Sequence, residues 1–235
     1  NEIDQENYTI DGKLSHEWAA GTTTLRASFA RFDDQQREVE VEIDFDTDED
    51  PPVLEQAFVA TDITDKELSV RLDHSIPVGV ATFVFGVYYQ DKDRSTSIGE
   101  AEDEFEPAGL AGYDQFADYP LDFAAAFDDP EPIDGGLGTL EERRIDGFAL
   151  VEGRTGIARW EAGLRYETTR LTVEDFTGTV PDGRAESSYE KLLPSASVKL
   201  DLTPRDRVTA SVARTSRRPE FNFLSPALLE EEAAD

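Results

Sequence analysis

The sequence predicts an all-β fold: an antiparallel up-and-down transmembrane β-barrel, present as an incomplete fragment, with short turns at one end and long loops at the other. Three observations predict it. Apolar and polar residues alternate with period two along most of the chain, and helical periodicity is scarce. Several alternating segments run to about ten residues or more, beyond the roughly 5–6 of a soluble strand and matching the roughly 9–11 that a tilted strand needs to cross a bilayer. Short and long connections alternate strictly, as in an outer-membrane barrel with short periplasmic turns and long extracellular loops; a sandwich has no such rule.

The elements follow in order. A short connection falls at residues 19–21, and a long one runs from about 33 to 66. Inside that long connection "REVEVEIDFD" alternates, with Val39, Val41, Ile43 and Phe45 on one face. It reads either as a spanning strand partnered near residues 53–61 or as part of a hairpin projecting above the bilayer. Leu68, Val70 and Leu72 then oppose Glu67, Ser69, Arg71 and Asp73, ahead of a short turn at 75–79. A long connection covers 93–140, and a short turn lies at 153–156. Next, Ala158, Trp160, Ala162, Leu164 and Tyr166 share one face, and Arg159, Glu161, Gly163, Arg165 and Glu167 share the other. After a long connection at 173–187, Ala196, Val198 and Leu200 oppose Ser195, Ser197, Lys199 and Asp201. A turn at 203–206 leads to Val208, Ala210 and Val212 against Arg207, Thr209 and Ser211. Pro219 cannot donate to a ladder and marks the end of pairing. This gives about eight to ten strands.

The register is energetically fixed. A slip of one residue in 158–168 would turn Arg159, Glu161, Arg165 and Glu167 toward lipid, where basic residues at mid-bilayer cost roughly 2–4 kcal/mol each. Trp18 and Trp160, each near a short turn, fit a periplasmic aromatic girdle; the competing reading makes both core tryptophans of a soluble sheet. A net charge of −30 argues against a nucleic-acid partner, which needs clustered Lys and Arg. The absence of cysteine excludes disulfides and thiolate chemistry, and no apolar run is long enough for a transmembrane helix. With no initiator Met, no signal peptide and an acidic end "LLEEEAAD", the chain reads as a piece of something longer.

The segment "YEKLLPSASVKLDLTPRDRVTASVARTSRRPEFNFLSP" resembles the mid-barrel region of TonB-dependent outer-membrane receptors, and so do "WEAGLRYETTRL" and "ERRIDGFALVEG" before it. In that family a loop enters a strand through "LLPS", a periplasmic turn of the "DLTPRD" kind follows, and the next strand leaves the membrane at "SRRPEFN". The match is clear over about residues 141–226 and diffuse over 1–140, where strand order and "VYYQDKDRS" agree. The resemblance implies that residues 1–235 form a partial barrel domain, with no visible plug domain and no closing C-terminal strand. It implies import of a scarce, bulky nutrient such as a ferric siderophore, a cobalamin or an oligosaccharide. The partners implied are outer-membrane lipid and lipopolysaccharide, the TonB energising complex acting through the missing plug, and a small-molecule or glycan ligand. It implies the outer membrane of a Gram-negative bacterium, no enzymatic activity and no cofactor.

Candidate site residues fall into four groups. Arg159, Glu161, Arg165, Glu167 and Lys199 are expected to face the lumen. In the long loop "GYDQFADYPLDFAAAF", Tyr113, Phe116, Tyr119 and Phe123 interleave with Asp114, Asp118 and Asp122, a pattern able to stack on sugar rings and accept hydrogen bonds from hydroxyls. The same pattern also suits a loop packing on its own aromatics. Asp44, Asp46, Asp48 and Glu55 mimic the spacing of a calcium loop, although Glu49 stands where glycine is needed, so a solvated acidic loop is the stronger reading. Arg217 and Arg218 suit lipopolysaccharide phosphates or simple snorkelling. The two histidines, His16 and His74, are far apart and lack any catalytic motif. The alternative function is a soluble acidic all-β carbohydrate-binding or adhesin module.

Overall fold

The computed structural model describes residues 1–44, 53–105, 129–178 and 181–216. Eight strands form one antiparallel sheet in which each pairs with its sequence neighbours. They are β1 (Glu2–Trp18), β2 (Gly21–Asp44), β3 (Val53–Val78), β4 (Ala81–Phe105), β5 (Glu131–Thr155), β6 (Ala158–Asp175), β7 (Arg184–Asp201) and β8 (Arg207–Ala213). Among the described residues no α-helix occurs, and no helix is long and apolar enough to cross a membrane.

The short connections are tighter than expected. β1 and β2 are joined by Ala19 and Ala20, β3 and β4 by Gly79 and Val80, and β5 and β6 by Gly156 and Ile157. Gly79 and Gly156 have φ of 60° and 58°, values that only glycine adopts without strain. In the turn before β8, the Thr203 hydroxyl accepts the amides of Arg205 and Asp206 and donates to the Asp206 carboxylate at 2.6 Å, so the "TPRD" sequence closes its own turn.

The long connections are mostly strand. β2 and β3 pair without interruption from Thr22↔Ser75 to Asp44↔Val53, so the described part of "REVEVEIDFD" is the far end of β2 and its partner is the start of β3. The segment is thus a continuation of the β2–β3 hairpin and not a separate strand. The same holds for β4 and β5, which continue to Phe105 and from Glu131, with a bulge between Ser97 and Gly99. β2 to β5 each have 24 to 26 residues, more than twice the roughly 9–11 that a bilayer requires.

The sheet is inside out relative to a soluble protein. Leu140 is the one buried apolar side chain among the described residues, whereas Asp146, Glu167 and Thr169 are essentially fully buried. Exposed apolar residues include Leu72, Phe83, Phe85, Val87, Ile145, Leu164 and Val212. Period-two alternation assigns these two sets to opposite faces. A cavity of about 1100 Å³ is lined by residues from β1 (Asn7, Thr9) round to β7 (Leu193, Ser195), so the sheet curls with its polar face on the inside. β1 and β8 each pair on one side only, and the sheet is not closed.

Candidate functional site

Register builds the concave face from every second residue. On β3 to β6 it aligns Arg71, Tyr88, Asp146 and Glu167 in one cross-strand row. The row nearer the long loops holds Ser69, Gln90, Arg144 and Thr169. At the centre, Arg144 Nε and Nη2 donate to the two Asp146 carboxylate oxygens at 2.7 and 2.6 Å. Nη2 also lies 3.1 Å from Glu167. Arg165 approaches Asp146 at 3.6 Å. The Arg144 guanidinium lies 5.2 Å from the Tyr88 ring centroid, while Phe148 sits between Arg71 at 4.5 Å and Arg165 at 5.9 Å. Flat aromatic faces thus hold the cations in place as well as the carboxylates do.

Charge pairing continues along the same face. Arg94 forks onto Asp65 with two bonds of 2.6 Å, and Lys92 lies 3.2 Å from Glu67. Asp73 accepts from both Arg26 at 2.7 Å and Arg71 at 2.9 Å. Lys191 donates to the Ser216 hydroxyl. The Thr169 hydroxyl is buried with no hydrogen-bond partner.

The convex face carries an apolar band with defined limits. Tyr8, Tyr89 and Tyr166 lie on it, with Tyr8 54% and Tyr166 46% exposed, and beyond Tyr8 and Tyr89 the outward residues become charged. Tyr8 donates to Glu6 at 2.6 Å and Tyr89 to Asp91 at 2.9 Å. Relative to the pairing register, Tyr89 stands two residues above the row of Tyr166, and Tyr8 four above that of Tyr89. That steady climb is the stagger of strands tilted in a barrel. At the short-turn end, Trp18 is 59% exposed and so is no core residue. Its indole donates to the Thr23 hydroxyl at 2.9 Å, which lies 2.8 Å from His74 Nδ1. His16 stacks edge-on against Trp18 at 4.2 Å, so the two histidines that look unrelated in sequence flank one threonine in a single row.

The long-loop extensions are acidic. Glu40 and Glu102 both pair with Ala57, and burial together with these two carboxylates raises the Glu100 carboxyl above its usual range.

Of the sequence candidates, Arg165 and Glu167 join the Arg144–Asp146 cluster. Arg159, Glu161 and Lys199 line a separate cavity of about 430 Å³ near the short turns. Arg144, Asp146, Asp65 and Asp73 were not singled out in the sequence, although "ERRIDGFALVEG" places Glu142, Arg144, Asp146 and Phe148 at alternate positions, which is the signal for them. Asp44 ends β2 opposite Val53, and Glu55 lies in β3 opposite Glu42. Asp46, Asp48, the aromatic loop from Tyr113 to Phe123, and Arg217 and Arg218 lie outside the described residues. Among the described residues no cluster of three metal-ligating side chains occurs.

A tilted, curled antiparallel sheet with a charged concave face and an apolar convex band defines a wall of a transmembrane β-barrel. The family model described as TonB dependent receptor-like, beta-barrel, matches residues 1–228, and the chain belongs to that family. Among solved structures it is similar to the ferric citrate transporter FecA in its unliganded form, with 11% identity and a TM-score of 0.54, over 89% of this chain and 27% of that one. It is also similar to the copper transporter OprC, with 12% identity and a TM-score of 0.51, over 92% of this chain and 37% of that one. The chain thus spans between about a quarter and somewhat over a third of those proteins. No curated protein matches it significantly. The inside-out distribution and the family together overturn the soluble-module alternative.

Proposed function

We propose that the chain is part of the barrel wall of an outer-membrane transporter of a Gram-negative bacterium, energised through TonB, that imports a scarce bulky nutrient. The observation carrying this reading is the reversal of burial: Asp146 and Glu167 are hidden on the concave face while Leu164 and Phe85 stand exposed on the convex one. Such a wall gains stability only between lipid on one side and a hydrated lumen on the other. Arg159, Glu161, Arg165, Glu167 and Lys199 line that lumen, and a plug domain carried elsewhere in the protein contacts TonB. The aromatic and acidic residues Tyr113, Asp114, Phe116, Asp118, Tyr119, Asp122 and Phe123 contact the ligand from outside.

The nutrient is a ferric siderophore, a cobalamin or an oligosaccharide. Radiolabelled uptake of each class by cells expressing the whole protein, with and without TonB, tests the proposal. Uptake of one class that disappears without TonB supports it. Uptake that persists without TonB makes the barrel a passive pore instead.

A further inference from the structure

The concave wall is closely charge-paired at mid-height and less closely paired at its short-turn rim. Arg71, Lys92, Arg94 and Arg144 each have a carboxylate within 3.2 Å. At the rim the register instead puts Arg154 opposite Arg159, and Arg159 opposite Lys199. Three cations therefore stand side by side on adjacent strands, about 4.5–5.5 Å apart at Cβ, where like charges destabilise the pairing. The neighbouring carboxylates neutralise them only in part, because none among the described residues reaches Arg154 or Lys199. Asp201 is held by Arg207 at 2.6 Å and lies 3.6 Å from Arg159. Glu152 and Glu161 occupy the next row on the same face. Among the described residues no carboxylate lies within ion-pair distance of Arg154 or Lys199. The row opens on the cavity of about 430 Å³, which Glu152 and Glu161 also line, together with Thr82, Ser197 and Trp160.

We propose that this row is a binding site for a small multivalent oxyanion at the exit mouth of the lumen. Two guanidinium forks and an ammonium offer converging charge-assisted donors, the donor set that phosphates and polycarboxylates accept best. The row lies within the last residues before the short turns, so the anion would meet it last on the way in. A site there adds counter-charge beside Arg154 and Lys199 and favours anionic cargo, or an anionic carrier of cargo, over neutral solutes. The inference rests on reading the concave face as a lumen.

The test is calorimetric titration of the full chain in detergent micelles with pyrophosphate and, separately, with citrate. One saturable site is expected, weakened about tenfold by Arg159→Gln and by Lys199→Gln, since a charge-assisted bond contributes about 1.5–3 kcal/mol. Arg184→Gln removes the same charge at the opposite end of β7, where Arg184 pairs with Glu174 and Glu186, and leaves the affinity unchanged. Binding of one probe and not the other assigns the site to phosphates or to carboxylates. No saturable binding of either, or an equal loss in Arg184→Gln, overturns the site. Micelle binding needs neither transport nor insertion, so a protein that inserts into liposomes but binds no anion refutes only this inference. Failure of the whole protein to insert refutes the lumen reading itself.

Discussion

Replacing Arg144 by Met isolates the centre of the concave face. The Arg144 side chain is 11% exposed, with Asp146 at 0% and Glu167 at 2%, and it reaches both. Its loss leaves two buried carboxylates without their shared cation, a situation that costs about 3–5 kcal/mol. Arg165 lies 3.6 Å from Asp146 and is 39% exposed, so it compensates only partly. The expected loss is therefore about 3 kcal/mol, near the lower bound of that range. Guanidinium unfolding in micelles, followed by the fluorescence of the two tryptophans, measures it. Adding Asp146→Asn and Glu167→Gln removes the stranded charges and is expected to recover most of the loss, because a neutral buried set avoids desolvating ions. A loss below about 1 kcal/mol for Arg144→Met, or a neutral triple variant as unstable as the single one, refutes the claim that this arginine neutralises a buried acidic pair.

Three further outcomes are expected. Leu164→Arg on the convex face costs roughly 2–4 kcal/mol in liposomes, while Ser195→Arg, in the concave row of Gly163, costs under about 1; equal costs contradict the facing. A methyl group at Gly153 would lie 2.5 Å from the Trp160 ring and 2.9 Å from the Val80 carbonyl, so Gly153→Ala loses about 1–3 kcal/mol by denaturant titration. Gly147→Ala meets nothing within 4 Å and is neutral by comparison. Glu100 has a raised carboxyl, so its contribution to folding is fully present below the unfolded-state value of about 4.3 and is lost as pH rises through the folded-state one. Amide exchange in the far ends of β2 to β4, corrected for intrinsic rates, is therefore slower at about pH 4 than at pH 7. Glu100→Gln flattens that difference, and a variant with unchanged pH dependence contradicts the assignment.

The membrane-crossing half of each strand was legible because its two faces meet different media. Leu68, Val70 and Leu72 against Glu67, Ser69, Arg71 and Asp73 leave no choice of register. The far halves were legible only in part. "REVEVEIDFD" alternates, but "FDDQQ" before it in β2 shows no apolar side, yet its pairing persists through contacts that no periodicity reports. Arg37 Nη2 donates to both Asp62 carboxylate oxygens, at 2.9 and 3.0 Å, and Thr64 donates to Asp33 at 2.8 Å. The concave cluster was half legible. Arg165 and Glu167 stand on the polar face of an alternating strand, but their partners Asp146 and Arg144 come from β5 and join them only through the β5–β6 register. The rim row is a register effect of the same kind, since Arg154, Arg159 and Lys199 belong to three strands.

The central claim is that lipid covers one face of this sheet and water the other. The chain has no cysteine, so single substitutions by Cys at 162, 163, 164, 165 and 166 each carry one spin label without interference. In liposomes the account predicts that labels at 162, 164 and 166 collide with oxygen dissolved in the bilayer, and that labels at 163 and 165 collide with a water-soluble nickel chelate. Alternation with period two and that phase is the predicted result. Uniform accessibility to the nickel chelate at all five positions, or the opposite phase, contradicts it.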